Sequence, residues 1–266
     1  MENNNVISRN FDEPTIVTDD IKENCLLENT MIGGYGTAII DKDFIQDMNK
    51  IAESIDTSNS NLIAIITDLQ NKIYEYFYSK DGSSLSREKI YDEKAIVNED
   101  GMVIGTKISD LKGMNVALCS EKSTSAYIIL KNLYDNNKIS RKPSLILSYL
   151  REEFSNDSNP HAFVTISKED DLYPTKHLLY DIENPSVLED DKKESFALVG
   201  VYALTDEEKE DIDNGYECTP TSLYEIISNY KEINAKRVYG SKEGKNNKKK
   251  RWISKSFHLF LLLYIF

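Results

Sequence analysis

The chain has few of the residues that build disulfide frameworks or metal sites. Its 266 residues include only three cysteines and three histidines, and no two cysteines have the Cys-x-x-Cys spacing. An odd number of cysteines without paired spacing argues against a disulfide framework and against a cysteine-ligated zinc site. Three scattered histidines argue equally against a histidine-rich metal centre. The sequence therefore predicts neither a metal nor a cofactor.

Glycine, proline and positive charge are also scarce. The 11 glycines and 6 prolines are too few for a collagenous or low-complexity chain. Acidic residues outnumber basic ones by 45 to 32, a net charge of −13. Because a nucleic-acid binder normally carries a basic field, we expect no nucleic acid as the main partner. Residues 236–256 are an exception, with nine Lys or Arg and one Glu, and are open to interpretation as a solubilising tail, an intramolecular counter-charge or a polyanion patch.

No apolar run is long enough to span a bilayer. The apolar end at residues 257–266 (FHLFLLLYIF) has ten residues, whereas a transmembrane helix needs about 20. We expect this end to dock on the protein or to be a cloning or frameshift scar, rather than to act as a membrane anchor. Residues 1–5 (MENNN) lack the basic and apolar regions of a signal peptide. The sequence thus predicts a cytoplasmic, reducing location.

Apolar periodicity places helices first and strands afterwards. Helical spacing predicts helices over residues 41–55, 62–78, 120–134 and, with Pro143 at a first turn, 144–154. Apolar and alternating runs predict strands over residues 161–166, 177–181 and 195–204. Thr205 and Ser222 are each followed three residues later by Glu, which predicts two more helix starts. This order is typical of an α+β fold with an antiparallel sheet.

Composition divides the chain into three segments. Residues 1–30 are polar and acidic with few apolar anchors, and we expect a loose acidic arm. Residues 31–235 are predicted to form one domain, in which residues 84–113 are irregular. Residues 236–266 form the basic tail with its short apolar end. A chain of this length can bury a sizeable core in one such domain.

Cys119 is the first candidate for chemistry, because it begins a predicted helix. A thiol at that position lies near unpaired backbone N–H groups and the positive end of the helix dipole, which favour the thiolate. The same N–H groups can bind the oxyanion of a tetrahedral intermediate. The alternative is a buried cysteine that acts only as a small apolar side chain. We interpret Cys25 and Cys218 as incidental thiols and His177 as a turn cap.

His161 and Asp181 are the second candidate. His161 opens one predicted strand and Asp181 closes the next. If the two strands pair around a turn centred near Asp171, His161 and Asp181 are directly opposite, and both side chains leave the same face. A carboxylate beside an imidazole fixes its tautomer and stabilises the imidazolium. The alternative is a surface His–Asp pair without a task.

These three motifs together resemble the transglutaminase-like superfamily of cysteine enzymes. The resemblance covers residues 60–204 and consists of a cysteine at a helix start, His-Ala-Phe opening a strand, and Tyr-Asp-Ile-Glu-Asn-Pro closing the next one. The separations, 42 residues from Cys119 to His161 and 20 from His161 to Asp181, are similar to those of the superfamily. The resemblance implies a helix carrying Cys119 packed on an antiparallel sheet that carries His161 and Asp181. It also implies Cys119 as nucleophile, His161 as base and later acid, and Asp181 as the orienting residue.

The sequence departs from the superfamily beside two of these residues. Members carry a small residue close before the cysteine, where the nearest glycine here is Gly113, and many carry Trp where this chain has Phe163. The second oxyanion donor therefore has no candidate.

From the resemblance we expect a cysteine hydrolase or acyltransferase that acts on amide bonds of a protein or peptide substrate through a thioacyl intermediate. The alternatives are a catalytically inactive transglutaminase-like binding or scaffold domain and, last, arylamine acyl transfer, for which the Arg-Gly-Gly before the cysteine is missing.

Overall fold

A computed structural model describes most of the first 183 residues and two later segments. The described residues are 6–8, 14–28, 36–58, 62–151, 158–168, 177–183, 201–214 and 221–222. They form five α-helices, one 3-10 helix (Ile108–Leu111) and two β-sheets. The helices are α1 (Lys42–Ser54), α2 (Leu62–Phe77), α3 (Arg87–Glu93), α4 (Cys119–Asp135) and α5 (Asp206–Asp213). The strands are β1 (Val6–Ile7), β2 (Thr15–Val17), β3 (Cys25–Leu27), β4 (Ala38–Ile40), β5 (Ile96–Val97), β6 (Val103–Lys107), β7 (Lys142–Arg151), β8 (Ser158–Ser167), β9 (His177–Tyr180), β10 (Val201–Leu204) and β11 (Thr221–Ser222).

The larger sheet is antiparallel throughout its described pairs. Its six strands follow the order β11-β10-β9-β8-β7-β2. The predicted α+β class is confirmed, as are the predicted strands β8 and β9 and the helices α1, α2 and α4. Strand β10 confirms the described part of the strand predicted over residues 195–204. Thr205 caps α5 as its spacing predicts, since its hydroxyl accepts a hydrogen bond from the Glu208 N–H at 3.1 Å. The predicted helix after Ser222 and the tail over residues 236–266 lie outside the described residues.

The second sheet corrects the prediction of a loose arm over residues 1–30. It has the strand order β1-β3-β4-β6-β5, with parallel pairs β1–β3 and β4–β6. Strands β1 and β3 come from the expected arm, and β2, also within it, pairs with β7 at the edge of the larger sheet. Cys25 and Leu27 are buried in β3. Two or three consecutive residues are enough for a short strand when a partner strand already exists.

Strand β7 overturns the predicted helix over residues 144–154. Its core segment, Leu145, Ile146 and Leu147, is fully buried. Leu145 and Leu147 belong to the main core, whereas Ile146 packs in a smaller cluster on the other face of the sheet. A strand covered on both faces is apolar throughout, so its pattern does not distinguish strand from helix. Pro143 lies beyond the residues that pair with β2, where its missing N–H costs no hydrogen bond on that side.

Residues 84–113, predicted to be irregular, contain α3, β5, β6 and the 3-10 helix. The start of α3 is capped by Ser86, whose hydroxyl accepts from the Lys89 N–H at 3.5 Å. The strands β5 and β6 are short and are connected by an exposed turn around Gly101. Elements of two to seven residues are too short to produce a clear apolar period, which explains why the sequence did not predict them.

The main core lies between α4 and the larger sheet. Helix α4 packs against β7 and β8 on one side and against α1 and α2 on the other. Its Ala126, Ile129 and Leu130 are fully buried. On the opposite face of the sheet, Ile212 of α5 packs in the smaller cluster, together with Ile146, Phe163, Leu179 and Leu204. Within the part of the chain that the structure describes, no helix is long and apolar enough to cross a membrane.

Candidate active site

Cys119 is the first residue of α4, as the sequence predicts. The preceding residue, Leu118, is the N-cap and has no side-chain acceptor, so no side-chain hydrogen bond caps the helix from that position. Cys119 is a free thiol of intermediate exposure. The first N–H groups of any α-helix have no partner within the helix. A thiol at this position therefore lies next to backbone donors that can stabilise negative charge.

The chain that leads into Cys119 is fixed to the end of α2. Asn115 adopts φ +62° and exchanges hydrogen bonds with Ser79, from whose N–H it accepts at 2.8 Å and to whose carbonyl it donates at 3.0 Å. The Asn115 N–H donates to the Phe77 carbonyl at 3.0 Å, and the Gly113 N–H donates to the Tyr76 carbonyl at the same distance. These bonds hold the connection before α4 against a well-packed helix.

The first turns of α4 attach to β8 beside His161. The Ser123 hydroxyl donates to the carbonyl of Ala162 at 2.8 Å, and both residues are fully buried. Strand β9 pairs with β8 only over Val164–Ser167, so Ala162 lies beyond the end of β9. Helix α4 thus approaches the edge of β8 that β9 leaves uncovered. This contact brings a helix start to the end of a strand pair.

His161 and Asp181 meet, but in a different register from the predicted one. Strands β8 and β9 pair Val164 with Tyr180, so Asp181 is displaced by two residues from the position opposite His161. Because the displacement is even, both side chains remain on one face. The His161 Nε2 atom contacts the Asp181 Oδ2 atom at 2.7 Å, and the Asp181 side chain is fully buried. The predicted direct opposition is wrong, whereas the predicted shared face holds.

The environment of His161 favours its charged form. Burial lowers the pKa of His161, whereas the charge of Asp181 and the hydrogen bond with it raise it. The charge of the nearby Cys119 acts in the same direction, and together these interactions outweigh burial and raise the pKa of His161 well above 6.5. Since Nε2 is engaged by Asp181, Nδ1 is the ring nitrogen available to the thiol. The structure therefore places Cys119, His161 and Asp181 in one interacting group.

A second ion pair holds the segment after β9 against α4. The Glu183 N–H donates to Asp181 Oδ1 at 3.0 Å, and the Lys122 ammonium donates to the Glu183 carboxylate at 2.7 Å. The Tyr74 hydroxyl donates to the Ile182 carbonyl at 2.7 Å. Both oxygens of Asp181 thus have a defined partner, which restricts rotation of the carboxylate.

The remaining candidates from the sequence lie elsewhere. Cys25 is buried in β3, and burial raises the pKa of its thiol. His177 begins β9 and contacts both the Ser167 hydroxyl, at 2.8 Å, and the exposed carboxylate of Asp206, at 3.2 Å. Cys218 lies outside the described residues.

No group of three or more His, Cys, Asp or Glu side chains within the described segments could hold a metal ion. A cavity of about 260 Å³ lies beside the C-terminal half of α4 and includes none of the three candidate residues.

Several residues around the site were missed by the sequence analysis. Lys122 follows Cys119 by one helical turn, but nothing in the sequence relates it to Glu183. Glu121 occupies the third position of α4, a position at which Glu accepts from the N-cap N–H. The spacing of Glu121 from Leu118 could therefore have been recognised in the sequence, whereas nothing in the sequence marks its buried partner Arg87.

Comparisons with protein-family models, with curated proteins and with solved structures find no match for this chain, so its function has to be inferred from the site itself.

Proposed function

We propose that this chain is a transglutaminase-like cysteine enzyme that acts on amide bonds through a thioacyl intermediate. The observation that carries the proposal is the buried contact of His161 with Asp181 at 2.7 Å, together with the interaction of His161 with a thiol at a helix start. Nucleophile, base and orienting carboxylate come from three separate elements. Their order along the chain is that of the superfamily which the sequence resembles.

The first chemical step is attack by Cys119. Because the pKa of His161 is raised, its imidazole is protonated near neutral pH and pairs with the thiolate. The sulfur forms a bond to the carbonyl carbon of a peptide or glutamine amide, and the carbonyl electron pair moves onto oxygen. Backbone N–H groups at the start of α4 stabilise that oxyanion.

The second step releases the amine. The C–N bond breaks, and His161 gives its proton to the leaving nitrogen, which leaves a thioester on Cys119. Water or an amine then attacks the thioester carbonyl while His161 takes a proton from that nucleophile. The C–S bond breaks, the acyl group leaves as an acid or an amide, and Cys119 is regenerated as the thiolate beside the protonated His161. Water makes the protein a hydrolase, and an amine makes it a transferase. Asp181 holds Nε2 throughout and stabilises the imidazolium.

A reducing compartment suits this chemistry. Cys119 and Cys25 are free thiols, and a nucleophilic thiolate has to remain reduced. The proposal accordingly places the protein in the cytoplasm, with a protein or peptide as its substrate.

The test is the pH dependence of iodoacetamide labelling at Cys119, followed by peptide mass spectrometry on the folded protein. We expect rapid labelling below neutral pH that is lost in His161→Ala. His177→Ala is the matched control, since it removes the other His–Asp contact of the same sheet without touching Cys119. A thiol that labels slowly below pH 7 and does not respond to His161→Ala would reject the enzyme and favour the alternative, an inactive scaffold of the same fold.

A further inference from the structure

A buried cluster of charged groups lies under the first turn of α4. The Arg87 guanidinium contacts Glu121 Oε1 at 2.5 Å, and the Tyr91 hydroxyl donates to the same oxygen at 2.6 Å. Arg87 also donates to the Tyr91 hydroxyl at 2.9 Å. The exposed fraction of the side chain is 4% for Arg87 and 0% for Glu121. A complete ion pair is therefore removed from water two residues after Cys119.

This cluster binds the chain on both sides of Ala117, just before Cys119. The Leu118 N–H donates to Glu121 Oε2 at 2.9 Å, and Arg87 donates to the Val116 carbonyl at 2.5 Å. Leu118 has no side-chain oxygen to cap the helix, so the carboxylate of Glu121 supplies the hydrogen bond at this helix start. These two bonds hold the backbone that leads into Cys119.

Stability alone is a poor explanation for such a cluster. A buried ion pair is often no more stabilising than apolar side chains of similar volume, because the charges lose their hydration. The Arg87 Nε atom is buried and has no hydrogen-bond partner within the described residues, which adds to the cost. A charged cluster retained directly beside the thiol is thus better explained by its effect on Cys119.

The charges of the cluster act on the thiol in opposite senses. Burial raises the pKa of Glu121, but the charge of Arg87 and hydrogen bonds from Arg87, Tyr91 and the Leu118 N–H outweigh it, so Glu121 is ionised. A neighbouring carboxylate disfavours a thiolate and a neighbouring guanidinium favours one. Of the two charges, that of Arg87 interacts with Cys119.

We propose that Glu121, held by Arg87 and Tyr91, is a positioning residue that fixes the first turn of α4 and sets the reactivity of Cys119. The carboxylate orients the helix start through the Leu118 N–H, and the guanidinium cancels the negative charge that this arrangement brings to the thiol. This role rests on the proposed function, since it concerns the same nucleophile.

Two variants test the orienting and the electrostatic parts. Glu121→Gln keeps the shape of the side chain and removes the negative charge. With its single oxygen on the Leu118 N–H, its amide nitrogen faces Arg87 and Tyr91, so the guanidinium loses its carboxylate acceptor. We expect Cys119 to be labelled by iodoacetamide about three- to tenfold faster at pH 6, because the charge of Arg87 is no longer compensated. The double variant Arg87→Met with Glu121→Met removes both charges and the hydrogen bond to Leu118. We expect slower labelling at pH 6, by about tenfold, with a urea midpoint close to that of the unchanged protein.

The control is Lys131→Met, which removes an ion pair at the other end of α4 and should leave the labelling profile unchanged. Variants that both leave the profile unchanged, or that both shift it in one direction, overturn the positioning role. If the unchanged protein already labels as an ordinary thiol and ignores His161→Ala, the proposed function fails and the positioning role fails with it. If that labelling is fast and depends on His161 but the variants do not diverge, the positioning role alone is wrong.

Discussion

Replacing Asp181 by Asn should reverse the tautomer of His161 while preserving the shape of the site. In the structure, Asp181 Oδ1 accepts from the Glu183 N–H at 3.0 Å and Oδ2 contacts His161 Nε2 at 2.7 Å. Asn has only one oxygen, and the Glu183 N–H requires it. The amide nitrogen of the substituted side chain therefore faces Nε2 and donates to it. His161 must then carry its proton on Nδ1, the nitrogen that Asp181 leaves available to the thiol, and it cannot accept a proton from Cys119 there.

The size of the effect follows from the loss of the ion pair between Cys119 and His161. A thiol with the usual pKa of about 8.5 is only about 0.3% ionised at pH 6. The labelling rate at pH 6 can therefore fall by at most about 300-fold. A thiolate of lower basicity is also a weaker nucleophile, which reduces the expected loss to a few tens-fold. Turnover of a substrate should fall further, by up to about 10⁴-fold, because the same substitution in a nucleophile–His–Asp triad leaves the histidine in the wrong tautomer.

The assay is iodoacetamide labelling of Cys119 between about pH 5 and pH 9. Asp206→Asn is the matched control, because it removes the carboxylate from the exposed contact with His177 on the same sheet. We expect Asp206→Asn to follow the unchanged protein. In Asp181→Asn, Cys119 should be labelled only as the pH approaches the pKa of an ordinary thiol. A rate at pH 6 within about threefold of the unchanged protein would refute the tautomer reasoning.

Three further changes test the frame around the site by urea unfolding. Ser123→Ala removes the hydrogen bond from α4 to β8 and should lower the free energy of unfolding by about 1–3 kcal/mol, since the buried carbonyl loses its partner. The control is Ser125→Ala, which removes a hydroxyl that bonds within the helix and should cost less than about 1 kcal/mol. Gly36 has φ +112°, and Gly36→Ala places a Cβ 2.3 Å from a buried tyrosine ring, so this change should lower the free energy of unfolding by about 2–4 kcal/mol. Gly101→Ala should cost only about 1–2 kcal/mol, because a Cβ added there has no atom within 4 Å. Ionisation of Glu121 stabilises the fold above the unfolded pKa of 4.5, and this contribution is lost as the pH falls through the lower folded pKa. Glu121→Gln should therefore weaken the fall in stability below about pH 4.5, and an unchanged acid dependence would contradict the assignment.

The three candidate residues could be identified from the sequence because each lies at the end of an element with a clear local pattern. Cys119 begins a long amphipathic helix, and His161 and Asp181 lie at the ends of two short apolar runs that the structure forms as strands. Their shared face depends only on the period of two along a strand. The prediction of a shared face is therefore correct although the predicted register was wrong by two residues.

The local sequence by itself determined α1, α2 and α4, the strands β8 and β9, and the polar character of the turns. Only the tertiary structure decided that β7 is a strand, because burial on both faces removes the pattern that separates a strand from a helix. It also decided that the expected arm contributes strands, because pairing with an existing sheet compensates for weak local preference.

The surroundings of Cys119 depend on the tertiary structure for a similar reason. Arg87 lies 34 positions from Glu121 in the chain, and Lys122 lies 61 from Glu183. Buried charge pairs between distant elements have no local sequence signal. Folding alone brings them together, and with them the electrostatic environment of the thiol.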